Sequence, residues 1–168
     1  MSPGAKIVEL LVRITNPSSM QSYQLAKFEY LILQGEEVDP DGLTDRIRSA
    51  HALGYAEGDG TMIAVGAIKK PTDLYVRNTE AKSGHKNLSR FRGELGYMYV
   101  PPAYQRRHLG TRIADALLET FADPVFATTR TDNVGMKAIL SKLNFKRVGR
   151  KWPSRSHPGK ALCLWVRE

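Results

Sequence analysis

The stretch from Glu94 to Ala122 constrains the fold more than any other part of this 168-residue chain. Residues 94–100 (ELGYMYV) read as a strand that Pro101-Pro102 stops. A basic turn, Ala103 to His108, then leads into Ile113, Leu117, Leu118 and Phe121, apolar positions on one face of a helix predicted over 109–121. A strand that ends abruptly, a compact turn and a helix N-terminus aim unpaired backbone N–H groups and the positive end of the helix dipole at one place, which makes an anion site. Gly110 lets a ligand come close to the backbone, and Arg106, Arg107 and His108 add positive charge beside it. On physical grounds the segment is a phosphate or pyrophosphate cradle, and the bland alternative is a strand-to-helix turn with two solvated arginines. No G-x-x-x-x-G-K-[ST] occurs and no G-x-G-x-x-G follows a strand, so neither a P-loop nor a dinucleotide fingerprint is supported.

The rest of the chain supplies a sheet for this segment. Residues 5–14, rich in branched side chains, predict a strand, and Ser18-Ser19 after Asn16-Pro17 predict the start of a helix over 19–34. A second short helix is expected over 40–50, with Asp41 or Thr44 as its cap. Apolar runs at 51–56 and 61–68 around Glu57-Gly58-Asp59-Gly60 predict a β-hairpin. Residues 69–92 lack periodicity and are expected to form a long basic loop insertion, with Leu74-Tyr75-Val76 as a candidate strand extension. Residues 125–130 read as a strand. Met136, Ile139, Leu140 and Leu143, spaced i, i+3, i+4, i+7, place a helix over 133–143, and 145–152 and 160–167 are two final strands. The predicted order is β-α-α-β-β-β-α-β-α-β-β. It describes a single α/β domain over residues 1–168, with a mixed central sheet flanked by helices.

With 42% hydrophobic and 25% charged residues, the chain has the composition of a soluble globular protein. Its one cysteine, Cys163, excludes an internal disulfide and argues against a cysteine zinc site; the scattered histidines show no ligand spacing, so no metal is expected. No apolar run is long enough to span a membrane, and Glu9 and Arg13 interrupt the N-terminal one, so a cytoplasmic location is expected. The net charge of +8 is unevenly placed. Residues 69–92 hold seven basic and two acidic residues, 142–160 hold seven basic and none acidic, and 93–141 balance at five each. Blocks of this kind point to an anionic partner. Nucleic acid is one candidate, with Trp152 between Lys151 and Arg155 as a stacking residue.

Gln105-Arg-Arg-His-Leu-Gly110 resembles the Q/R-x-x-G-x-G/A motif of the GNAT superfamily, the acetyl-CoA-dependent N-acetyltransferases. Val100-Pro-Pro-Ala-Tyr104 is similar to the lead-in that often precedes it, and Asn133 to Phe145 to the family's next block. The resemblance implies a GNAT-like, mostly antiparallel sheet, acetyl-CoA as acyl donor, an amine acceptor, and a monomer or homodimer. Backbone groups of Met98, Tyr99 and Val100 would line the pantetheine arm beside a splayed strand. The amides of Gln105, Arg106, Arg107, His108, Leu109, Gly110 and Thr111 would hold the pyrophosphate, and Asn133 would also contact the donor. Three positions depart from the pattern: His108 stands at the motif's first glycine, Leu140 where many members carry a proton-donating tyrosine, and Asn144 at the glycine of Gly-Phe.

Amine acetylation needs a neutral amine and a route for one proton to leave, and a carboxylate can take that proton directly or through water. Glu94 lies eleven residues before Gln105, the offset of a general-base glutamate in the histone-acetyltransferase branch of the family. Strand alternation places it on one face with Gly96, Met98 and Val100. The competing role is a strand-end carboxylate paired with Arg90 or Arg92. Tyr97, Tyr99, Tyr104 and Ser141 are candidate donors to a leaving thiolate, and none stands out. The basic blocks flank the expected acceptor side and favour an anionic acceptor.

Overall fold

The computed structural model describes residues 9–168. Seven strands and five helices follow in the order β1 (Leu11–Thr15), α1 (Ser22–Gln34), α2 (Leu43–Arg48), β2 (Ala52–Gly58), β3 (Thr61–Lys69), α3 (Asp73–Ser83), β4 (Gly93–Tyr99), α4 (Leu109–Glu119), β5 (Val125–Arg130), α5 (Val134–Lys142), β6 (Lys146–Pro153) and β7 (Ala161–Arg167). The start of the first predicted strand, over 5–8, lies outside the described residues. Asp59 and Gly60 both adopt left-handed φ values, 51° and 74°, so the turn between β2 and β3 twists with the strands it joins.

Two expectations are corrected. Residues 69–92 are not a loop, because they contain α3. Thr72 caps that helix by accepting from the Tyr75 N–H at 3.2 Å, and Gly84 ends it in the left-handed conformation. Its inward side consists of Val76, Thr79 and Ser83, two of them polar, so a hydrophobic period gives no sign of it. Leu74-Tyr75-Val76 is therefore helical and extends no strand. Helix α2 is shorter than expected and starts from a left-handed Gly42, with no side-chain cap from Asp41 or Thr44.

The strands form one sheet in the order β1-β2-β3-β4-β5-β7-β6, antiparallel except between β4 and β5. Helices α4 and α5 cover one face, where Ile113, Leu117 and Leu140 pack with Ala127 and Cys163. On the other face α1 and α2 cover β2 to β4 through Phe28, Leu31 and Ile47, while α3 covers β5 to β7 through Val76 against Phe126, Trp152 and Leu164. Gly149 in β6 seats the end of α3. Its φ is +67°, and an added Cβ would lie 2.5 Å from the Ser83 carbonyl oxygen, a backbone atom that cannot swing aside. Gly149→Ala is expected to destabilise the fold by about 1–3 kcal/mol in urea unfolding, and a stability equal to wild type would show that α3 is not seated there.

Candidate active site

The site is prepared by an extra residue in β4. Ala67 of β3 pairs with Gly96 and Val65 with Tyr99, so Gly66 alone opposes Tyr97 and Met98. Tyr97 accommodates this bulge with φ at +54°, which reverses the alternation of side chains beyond it. Glu94 and Gly96 therefore share the α3 face with Lys69, while Met98 and Val100 point to the α4 side. Met98 fills the space left by Gly66, whose Cβ would lie 2.4 Å from the Met98 sulfur position, and packs with Ile113. The expectation that Glu94, Gly96, Met98 and Val100 lie on one face is thus corrected by one inserted residue.

Strands β4 and β5 pair only at Gly93 with Val125 and Glu94 with Phe126. Beyond those two pairs β5 continues against β7 alone. The sheet opens at this divergence, and a cavity of about 1030 Å³ passes through it, bordered by Met98, Gly110 and Ile139 from one face and by Tyr75, Glu94 and Gly96 from the other.

At the α4 end of the cavity the turn takes an unusual backbone path. Arg106 and His108 both adopt left-handed φ, 68° and 55°, on either side of Arg107. Such non-glycine residues each carry strain of about 1–2 kcal/mol, and the alternation turns successive N–H groups toward one side as an anion-binding nest. His108 thus takes the conformation its glycine-like position requires, as Asn144 does at φ 65°. The Gln105 side-chain amide donates to the Val100 carbonyl at 3.2 Å and ties the turn to the end of β4. Of the turn residues Gln105, Arg106, His108, Leu109, Gly110 and Thr111 border the cavity, as do Met98, Tyr99, Val100 and Asn133. Arg107 does not; its guanidinium lies over the Tyr104 ring at 5.4 Å. Asn133 caps α5 by accepting from the Met136 N–H at 3.0 Å.

Glu94 is 2% exposed and held by three groups. Its Oε1 accepts from the Tyr75 hydroxyl at 3.0 Å and the Thr128 hydroxyl at 3.2 Å, and Oε2 is 3.2 Å from the Lys69 ammonium. The ion-pair partner is therefore Lys69, not Arg90 or Arg92. Tyr75 leaves part of its ring exposed, but its hydroxyl end is enclosed against Glu94. That burial, reinforced by the neighbouring carboxylate, pushes the phenol well above its ordinary range, so it stays a neutral donor. At the far end of β5, Arg130 pairs with Glu37 at 2.9 Å and Asp132 pairs with Lys160 at 2.9 Å. The hydrogen bond from Lys160 holds the Asp132 carboxyl below its usual range.

The sequence model of the acetyltransferase (GNAT) family matches residues 11–145, most of the chain and all of the cavity's central strands. The chain belongs to the GNAT acetyltransferase family. Among solved structures, yncA from Salmonella typhimurium, determined with its cofactor acetyl-CoA, superposes with a TM-score of 0.64 at 12% identity over 95% of this chain and 94% of that one. The ribosomal-protein-S18-alanine N-acetyltransferase from Escherichia coli gives 0.63 at 14% identity over 93% and 92%. The transposase for insertion sequence element IST2 from Acidithiobacillus ferrooxidans is 33% identical over 105 residues, 60% of this chain but 35% of that protein. The chain thus spans about a third of the length of that curated relative.

Within this GNAT fold Ser141 and Trp152 are not placed as expected. Ser141 does not border the cavity, and Leu140 is fully buried in the core, whereas Tyr97, Tyr99 and Tyr104 all line it. Trp152 cannot stack on a base: it is 7% exposed and packs with Phe126 and Leu164. Of the fourteen lysines and arginines in the two basic blocks, only Lys69 lines the cavity. The others do not border it; Arg150 donates to the Ala81 carbonyl at 3.0 Å and joins β6 to the end of α3. Among the described residues no cluster of His, Cys, Asp or Glu could hold a metal ion, and no helix is long and apolar enough to cross a membrane.

Proposed function

We propose that the chain, acting as one acetyltransferase domain, transfers an acetyl group from acetyl-CoA to a primary amine by direct attack in a ternary complex. One observation carries the reading: the cavity runs through the sheet, from the nest at Arg106 and His108 to the buried Glu94 carboxylate on the opposite face. Donor and acceptor can then approach from opposite sides and meet at the β4–β5 divergence, which holds them in attacking geometry. The residues present fit the donor. The nest and the α4 N-terminus suit a pyrophosphate, and the free strand edge of β4 suits the amide groups of a pantetheine arm. Acetyl-CoA supplies the activated acetyl group; Glu94 takes the proton that the attacking amine must lose, and Tyr75 and Thr128 keep its carboxylate oriented. The test is isothermal calorimetry with acetyl-CoA, followed by assay of free CoA release across amine classes. Saturable binding with release in at least one class is expected, and no binding at high micromolar acetyl-CoA ends the reading.

A second reading concerns the outer face. Lys82 in the last turn of α3, Lys86 after it and Lys146, Arg147, Arg150 and Lys151 on β6 are exposed, and residues 142–160 hold no acidic residue to offset them. This convergence favours a polyanion such as nucleic acid docking on β6 and α3, away from the cavity. Binding to tRNA or duplex DNA should weaken steeply as salt rises, because phosphate contacts release counterions; no binding at low salt excludes it.

A further inference from the structure

We infer that Lys69 is a self-acetylation site, an amine of the chain itself already seated on the acceptor side of the cavity beside Glu94. The inference rests on the acetyltransferase reading of that cavity. Lys69 ends β3, and its side chain crosses β4 instead of extending into solvent. Gly96 makes this path available: a Cβ there would lie 2.7 Å from Lys69 Cδ and 3.6 Å from Nζ. The ammonium therefore rests on the strand two residues before Met98, where β4 has already parted from β5. Three groups hold it there, Glu94 Oε2 at 3.2 Å, the Tyr97 ring at 4.7 Å and the Tyr75 ring at 5.8 Å. Its side chain keeps 24% exposure, so it borders the cavity without being sealed from it. No other lysine among the described residues lines that space.

The protons balance within this arrangement. The Lys69 ammonium passes one proton to Glu94 Oε2. The freed nitrogen lone pair attacks the acetyl carbonyl of acetyl-CoA, a new N–C bond forms as the C–S bond breaks, and the second proton of the nitrogen leaves on the departing CoA thiolate. The products are an acetyl-lysine amide and free CoA, with Glu94 returning its proton to water. The amide carries no charge, so modification removes the cation that now faces the buried carboxylate. A lysine this ordered reacts as an intramolecular nucleophile, whereas solvent-exposed lysines depend on chance encounter.

The full chain is incubated with acetyl-CoA in the absence of any added amine and followed by intact mass and peptide mapping. One acetyl group per chain is expected, at Lys69, forming roughly tenfold or more faster than at the exposed Lys70 and Lys82, with a rate constant independent of protein concentration. Lys69→Arg keeps the cation but offers no acetylatable primary amine, and should bind acetyl-CoA in calorimetry while losing the label. Wild-type chain that binds acetyl-CoA yet labels Lys69 no faster than Lys70 and Lys82 overturns the inference and leaves the proposed function standing. A rate that climbs with protein concentration also overturns it, because transfer would then occur between chains. If acetyl-CoA does not bind at all, the acetyltransferase reading itself fails.

Discussion

Gly110→Glu is expected to weaken acetyl-CoA binding by about 100-fold or more, which corresponds to about 2.7 kcal/mol. Gly110 is the second residue of α4 and is buried between that helix and α5. An added Cβ would lie 2.9 Å from Ile139 Cδ1 and 3.6 Å from Val100 Cγ2. The nearer neighbour is the flexible end of a side chain, so Gly110→Ala should be tolerated with a small loss of affinity. A glutamate cannot be absorbed that way, and its only outlet is the cavity. There its carboxylate would face the proposed pyrophosphate site, and like charges brought together in a partly enclosed site cost several kcal/mol. Arg106→Glu tests the charge without the packing, since Arg106 is exposed; a loss of about tenfold is expected, near 1.4 kcal/mol. Calorimetry on variants that keep the wild-type thermal transition decides the matter. A folded Gly110→Glu chain that binds acetyl-CoA normally would move the donor site away from this turn.

The strand–turn–helix segment over 94–121 could be read ahead of the structure because its determinants are local: a strand, two prolines, a basic turn and a glycine at a helix start. The hairpin at Asp59-Gly60 was legible for the same reason. What escaped depends on contacts between distant segments or on one inserted residue. Nothing in ELGYMYV marks Tyr97 as the extra residue, since a bulge shows only in what lies opposite. Helix α3 hides its inward face behind Thr79 and Ser83; its signals were the caps, Thr72 before it and Gly84 after it. With α3 unrecognised, Tyr75 could not be connected to Glu94, and Lys69 counted only as one charge in a basic block. The same long-range packing buries Trp152. Charge density along the chain located the basic blocks, but only the docking of α3 on β6 shows that parts of the two lie side by side.

Glu94→Gln is expected to lower turnover by about 10²–10⁴-fold, the range for loss of a general base, while changing acetyl-CoA affinity little. The two effects separate because Glu94 touches none of the turn residues 105–111: its partners are Tyr75, Thr128 and Lys69, all on the α3 face of the sheet. Glutamine keeps the acceptor oxygen for both hydroxyls, so the side chain should stay in place. It also leaves the Lys69 ammonium without its counter-ion, and breaking a buried pair destabilises by about 3–5 kcal/mol when the remaining charge is fully enclosed. Lys69 is a quarter exposed, so the loss should be well below that range. Loosening of the site would by itself also slow the variant. Lys69→Met with Glu94→Gln removes both charges together and should restore most of the lost stability, since the methionine stem can follow the lysine path over Gly96. If Glu94 carries the proton, the double variant stays as slow as Glu94→Gln. If turnover returns with stability, the carboxylate serves only to neutralise Lys69, and the proton must leave through water or one of the cavity tyrosines.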